Sequence, residues 1–103
     1  MFDPTFKNVY DFGAVNGVQI YKMSNDSDSD YMILSYQYDL RGRNVNGYLN
    51  NYVKKIESKG FYYNNTEHYY YGDTDYYYDS MDVQVAITNY GDSLIGISML
   101  AKK

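Results

Sequence analysis

The sequence predicts an α+β fold in the order β-β-α-β-β-β, with one amphipathic helix packed on one face of an antiparallel sheet of four to five strands. Three observations point there. Residues 44–59 place Val45, Tyr48, Leu49, Tyr52, Val53 and Ile56 at i, i+3, i+4, i+7, i+8 and i+11, which is one apolar stripe along a helix. The other long apolar segments alternate with a period of two and are rich in β-branched and aromatic residues. Short runs of Gly, Asn, Asp and Ser separate them, so consecutive strands pair antiparallel and the helix covers one sheet face. With 103 residues, the chain is a single domain from residue 1 to residue 103.

Residues 17–23 and 31–38 read as the first two strands. In the second, Met32, Leu34, Tyr36 and Tyr38 alternate with Tyr31, Ile33, Ser35 and Gln37, and the polar run 24–30 joins the two as a hairpin. The helix follows, with Asn44 as its N-cap, Lys54, Lys55 and Lys59 near the negative end of its dipole, and Gly60-Phe61 as a left-handed C-cap contacting Ile56. Gly47 in its first turns costs about 1 kcal/mol relative to alanine. Residues 61–71 form a tyrosine-rich strand that ends at the turn chemistry of Gly72-Asp73-Thr74-Asp75. Tyr76 to Asp79 either begins the next strand with a bulge or lies in a broad loop. Met81, Val83, Val85 and Ile87 then alternate with Asp82, Gln84, Ala86 and Thr88. Asn89-Tyr90-Gly91-Asp92 turns the chain into residues 94–100, where Ile95, Ile97 and Met99 face the core opposite Gly96 and Ser98.

The net charge is −4, against the basic footprint that a nucleic-acid binder lays on phosphates, so no direct nucleic-acid binding is expected. No cysteine is present, which excludes a disulfide framework, a thiolate metal site and a cysteine nucleophile. Neither a signal-like N-terminus nor an apolar run of about 20 residues occurs, so the expectation is a soluble domain with no membrane insertion.

Tyrosine is the anomaly, with 16 residues. Tyr62-Tyr63, Tyr69-Tyr70-Tyr71 and Tyr76-Tyr77-Tyr78 flank one acidic turn, and strand alternation sends each cluster to both faces of the sheet. Tyrosine offers large, rigid, amphipathic area at low entropic cost, which suits a contact surface. The candidate binding residues are therefore Tyr62, Tyr69, Tyr70, Tyr71, Asp73, Asp75, Tyr76, Tyr77 and Tyr78. The competing reading is that tyrosine paves a half-exposed sheet, because ten asparagines and seven lysines against two arginines suggest an AT-rich coding bias.

Asp26-x-Asp28-x-Asp30 resembles the opening of a calcium loop, but Tyr31 and Gln37 stand where that loop needs Gly and Glu, so a solvated hairpin loop is expected. Asp73, Asp75, Asp79 and Asp82 form a second acidic group, and a weak cation site arises only if the two groups meet. No metal and no cofactor is expected. His68 is the only histidine, and its neighbour Glu67 points to the opposite face of a strand, so the two form no acid/base pair. Serine lies in no Gly-x-Ser-x-Gly turn and no phosphate loop exists, so the chain is expected not to be an enzyme. Residues 41–59 hold five basic residues against one acidic, a local +4 that leaves −8 for the rest. That asymmetry either steers a charged partner or is the ordinary solvated face of a helix.

Val9-Tyr10-Asp11-Phe12-Gly13-Ala14-Val15-Asn16-Gly17, then a hairpin, then Tyr48-Leu49-Asn50-Asn51-Tyr52-Val53-Lys54-Lys55-Ile56-Glu57-Ser58-Lys59-Gly60-Phe61, resembles small α+β domains of low-GC Gram-positive bacteria. Those domains follow signal peptides, lipoprotein anchors or zinc-ribbon segments, and most have no assigned activity. The resemblance implies an interaction module of the cell envelope or exterior and supplies no catalytic residues. The expected function is non-catalytic binding of a protein or cell-surface ligand through the tyrosine-rich strands and acidic turn. The alternative is a small acidic inhibitor of the phage counter-defence type, which blocks a nucleic-acid-binding partner with Asp26, Asp28, Asp30, Asp73, Asp75 and Asp79. A homodimer through an edge strand is also expected to be open to the chain, with residues 94–100 as the sparsely charged candidate.

Overall fold

The computed structural model describes residues 12–64, 76–80 and 83–103. The chain is α+β, with α1 (Phe12–Asn16), β1 (Lys22–Asn25), β2 (Tyr31–Asp39), α2 (Val45–Glu57), β3 (Tyr62–Tyr63), β4 (Tyr76–Asp79), β5 (Val83–Gly91) and β6 (Leu94–Lys102). The strands form one six-stranded sheet in the order β1-β2-β6-β5-β4-β3, antiparallel at every pairing. That is more than the four to five strands expected, because Tyr76–Asp79 is a strand of its own. Ser80 follows it, its N–H donating to the Val83 carbonyl at 2.9 Å.

Helix α2 forms where the apolar stripe runs. The Asn44 side chain accepts the Gly47 N–H at 3.1 Å and satisfies one of the unpaired donors of the first turn. At the other end Phe61 N–H reaches the Ile56 carbonyl at 3.2 Å and Gly60 N–H the Glu57 carbonyl at 3.0 Å, with Gly60 at φ +94°. This bond pattern is a Schellman ending, and the positive φ it demands is why glycine occupies position 60. Ile56 and Phe61 both enter the core cluster.

Because α2 carries the chain from β2 to the far edge at β3, it runs across β6, β5 and β4 and buries its stripe on them. Tyr52 and Ile56 pack with Tyr36, Tyr38, Val85, Ile87, Ile95, Ile97 and Met99. The long non-local pairing is β2 with β6, nine registered residues from Tyr31↔Lys102 to Asp39↔Leu94. With β5 on its other side, β6 is an interior strand, which corrects the expectation that residues 94–100 offer a free edge; among the described residues the sheet ends at β1 and β3.

Two further corrections concern chain punctuation. Residues 17–21, expected in the first strand, are not strand; Phe12–Asn16 is helical instead, and Gly17 at φ +68° ends it, with Val18 N–H donating to the Gly13 carbonyl at 2.9 Å. The Phe12 ring lies 4.8 Å from Tyr38 and 5.3 Å from Tyr52, centroid to centroid, and anchors α1 in the core. The β5–β6 turn falls at Asp92-Ser93, both at positive φ (51° and 66°) as a two-residue hairpin loop requires, rather than at residues 89–92. Ahead of it the register shifts between Asn89 and Gly91, and the Tyr90 ring lies over Gly96 so closely that a Cβ there would meet Tyr90 Cε2 at 2.7 Å.

The face away from α2 is also dry at its centre. Ile33, Tyr77, Ala86 and Leu100 form a second cluster, with Tyr31 packed against it. Gln84 and Thr88 are buried on the same face, and Ser35 and Ser98 bond across β2 and β6 at 2.9 Å. Of the expected strand 61–71, only Tyr62 and Tyr63 are seen as strand; residues 65–71, with Glu67, His68, Tyr69, Tyr70 and Tyr71, lie outside the described residues. So do Asp73, Asp75, Met81 and Asp82, and the first part of the stretch carrying the family resemblance, Val9 to Asp11.

Candidate functional site

The described tyrosines of the candidate surface meet at the end of the sheet made by β3 and β4. Register pairs Tyr62 with Asp79 and Tyr63 with Tyr78. Directly opposed residues share a face, so Tyr63, Tyr76 and Tyr78 stand on the α2 side and Tyr62 and Tyr77 on the other. Tyr63 packs edge-on to Tyr78 at 5.7 Å and tilted to Tyr76 at 6.3 Å, forming a three-ring cluster. Tyr62, Tyr63 and Tyr76 are about half exposed, at 59%, 51% and 48%.

Tyr77 departs from the expectation. It is 6% exposed and packs with Ile33, Ala86 and Leu100, so its ring belongs to the core and not to the contact surface. Its neighbour Asp79 accepts hydrogen bonds from Asn64 Nδ2 and, at 2.9 Å, from the buried Gln84 Nε2. That carboxylate fastens β3 to β5 across β4.

Between the tyrosine cluster and α2 lies a cleft of about 430 Å³, lined by Asn46, Leu49, Asn50 and Val53 of the helix, Tyr76 and Tyr78 of β4, and Ile87 of β5. Asn46 and Asn50 are one helical turn apart, on the flank of the stripe that sends Leu49 and Val53 inward. Both are exposed, and neither side-chain amide bonds to another described residue. The two asparagines carry no motif, but their i, i+4 placement beside the stripe is the signal that marks the flank. Burial raises the Tyr78 phenol above its ordinary pKa, and the nearby Glu57 carboxylate adds to that rise, so Tyr78 faces the cleft as a neutral hydroxyl.

The acidic loop 24–30 is a hairpin loop held by its own carboxylates. Asp28 accepts the N–H groups of Tyr31 at 2.7 Å and Asp30 at 2.8 Å, which hold its carboxyl below the usual range, and Lys103 Nζ donates to the Asp28 carbonyl. Asp26 accepts the Ser24 hydroxyl at 3.1 Å. Asp39, at the end of β2, is likewise lowered by the Arg41 guanidinium, 2.8 Å away. Among the described residues no three His, Asp or Glu side chains gather where a metal ion could be held, and no helix is long and apolar enough to cross a membrane. Exposed apolar side chains occur at a second place, Ile20, Tyr21 and Met23 at the β1 edge, which the sequence reading passed over because they fell inside an assumed strand.

No protein-family model, no curated protein and no solved structure matches the chain.

Proposed function

We propose that the chain is a non-catalytic binding module of the cell envelope or exterior whose contact surface is the β3–β4 edge, presented by Tyr62, Tyr63 and Tyr76. The observation that carries this reading is the clustering of three half-exposed tyrosines at one end of a rigid sheet, beside a cleft. Large aromatic side chains half open to water anchor binding surfaces, and here the paired strands hold them in place before any partner arrives, which lowers the entropic cost of association. The envelope setting rests on the resemblance to Gram-positive α+β domains. Tyr69, Tyr70, Tyr71, Asp73 and Asp75 lie between β3 and β4 in sequence, outside the described residues.

Support for this over the acidic inhibitor comes from how three of the described carboxylates are engaged. Asp28 caps its own turn, Asp39 pairs with Arg41, and Asp79 binds Asn64 and Gln84. Carboxylates committed to internal partners make a poor row of phosphate substitutes.

The test is capture of partners by the immobilised chain from envelope and cytosolic fractions of its host, at low and high salt, beside a Tyr62→Ser/Tyr76→Ser variant. Wild type is expected to retain an envelope component at both salt concentrations. The variant is expected to lose it about tenfold or more, since two anchors are removed, while its unfolding stays cooperative. Equal capture by the variant removes the tyrosine surface. Capture of a nucleic-acid-processing complex that salt abolishes replaces the reading with the inhibitor.

A further inference from the structure

We propose that the cleft between α2 and β4 is a saccharide site, taking one or two neutral pyranose units between the Asn46 and Asn50 amides and the Tyr76 and Tyr78 rings. This rests on the reading of the tyrosine edge as the contact surface and names the class of ligand it takes.

The size fits first. About 430 Å³ lies within the range of small-ligand clefts. Charge comes second. Asn46, Leu49, Asn50, Val53, Tyr76, Tyr78 and Ile87 include no ionised side chain, with Tyr78 held neutral by its surroundings. Among the described lining residues a charged ligand would lose water and gain no counter-charge, and the Glu57 carboxylate near Tyr78 repels an anion, so the lining favours a neutral ligand. Polar matching comes third. Each asparagine amide offers two donors and an acceptor with two lone pairs, and neither amide has a partner among the described residues. Two such groups one helical turn apart, with Cβ atoms about 5–6 Å from each other, can bridge pairs of adjacent hydroxyls. A pyranose presents those hydroxyls at its rim and an apolar C–H surface on its face. The face has its complement in the tyrosine rings, each an apolar body with a hydroxyl at the tip, over Leu49, Val53 and Ile87.

An extended peptide fits this cleft poorly. Peptides that add to a sheet need unpaired backbone groups, whereas β4 is paired along its whole length with β5 and, at Tyr78 and Asp79, with β3. The polar groups facing the cleft are side-chain amides and phenols, each able both to donate and to accept as a hydroxyl does.

The experiment is a ¹H–¹⁵N NMR titration of the labelled chain with cellobiose, maltose and N,N′-diacetylchitobiose as separate probes. Expected is a saturable shift of the Asn46 and Asn50 side-chain NH₂ signals and of the Tyr76 and Tyr78 backbone amides with at least one of the three. Asn50→Leu is expected to weaken it about tenfold, as loss of a group making two hydrogen bonds would, and Asn46→Ala by a similar factor. Both positions are exposed, so spectral dispersion is retained. Asp28→Asn, in the hairpin loop at the opposite edge of the sheet, leaves saccharide binding unchanged. Absence of shifts with all three sugars up to their solubility overturns the proposal. So do shifts that survive Asn50→Leu and Asn46→Ala, and shifts confined to the Tyr62 and Tyr63 backbone amides. If partner capture depends on Tyr62 and Tyr76 while no sugar titrates, the tyrosine surface stands and the saccharide site falls. If a sugar titrates at the asparagines while capture ignores the tyrosines, the saccharide site stands and the wider surface falls.

Discussion

At the centre of the sheet Tyr36 and Tyr38 are sealed from water, whereas at the β3–β4 edge Tyr62, Tyr63 and Tyr76 are about half open. The residue type is the same and so is the backbone conformation. What differs is what lies above and beside the ring. Tyr36 stands opposite Ile97, which in turn stands opposite Ile87, so on the α2 side these three side chains form one row across β2, β6 and β5. Tyr63 has only Tyr76 and Tyr78 for company and no further strand beyond it among the described residues. A tyrosine is therefore a core residue or a contact residue according to its place in the strand order. Even within one strand the two roles sit side by side, with Tyr77 buried and Tyr76 exposed.

The contrast is broken most severely at the centre. Ile97→Ala removes the middle of the Tyr36–Ile97–Ile87 row from a strand paired on both sides, where collapse of the cavity is hindered. The expected loss is about 2–5 kcal/mol, read as a fall in denaturant midpoint at unchanged slope. Edge substitutions such as Tyr62→Ser are expected to stay within about 0.5 kcal/mol, as exposed sites do. If Ile97→Ala and Tyr62→Ser cost the same, centre and edge are not energetically distinct.

A smaller effect sharpens where the boundary runs. Asp79 sits at the inner end of the tyrosine edge yet satisfies Gln84, which is 1% exposed. Asp79→Ala withdraws that acceptor and the Asn64 contact, and about 1–3 kcal/mol is expected to be lost. Asp79→Asn keeps a carbonyl acceptor and is expected to lose less. An alanine variant as stable as wild type would mean that β4 belongs with the loose edge and not with the core.

Much of the centre was legible in the sequence. The helix stripe, its Asn44 cap and its Gly60 ending are local signals, each satisfied within a few residues, and all three are found in the structure. Alternation likewise sends Ile95, Ile97 and Met99 to the α2 side. The strand order was not legible, because the pairing of β2 with β6 joins residues 55 to 71 positions apart and no turn advertises it. Helix α1 escaped because five residues holding one buried aromatic are too short for a period to show. The site was half legible. Strand alternation foretold that the tyrosines divide between the two faces, but which face is wet depends on packing over the second face, and so Tyr77 was misassigned. Asn46 and Asn50 were invisible as a site until β4 was known to lie beside the helix flank.

The smallest expected effect lies in the hairpin loop that joins β1 to β2, at the opposite edge from the tyrosines. The Tyr31 N–H first, and the Asp30 N–H next, hold the Asp28 carboxyl below its usual range. A carboxyl whose pKa is lower in the folded than in the unfolded chain stabilises the fold above the unfolded value, near 4. That contribution fades as pH falls below it and is gone once the pH passes beneath the folded value. Asp28→Asn keeps an oxygen able to accept the same N–H groups but cannot titrate. Its stability is therefore expected to decline less steeply than wild type below about pH 4, with the curves nearly parallel above it. The exposed position of Asp28 keeps the difference small, and added salt affects it little because the backbone hydrogen bonds, more than the Lys103 charge, dominate the shift. Urea unfolding of both proteins between pH 2 and pH 7 measures it. Identical acid limbs would show that the Asp28 turn persists in the unfolded chain, and that this edge of the sheet, unlike its centre, gains no stability from being folded around it.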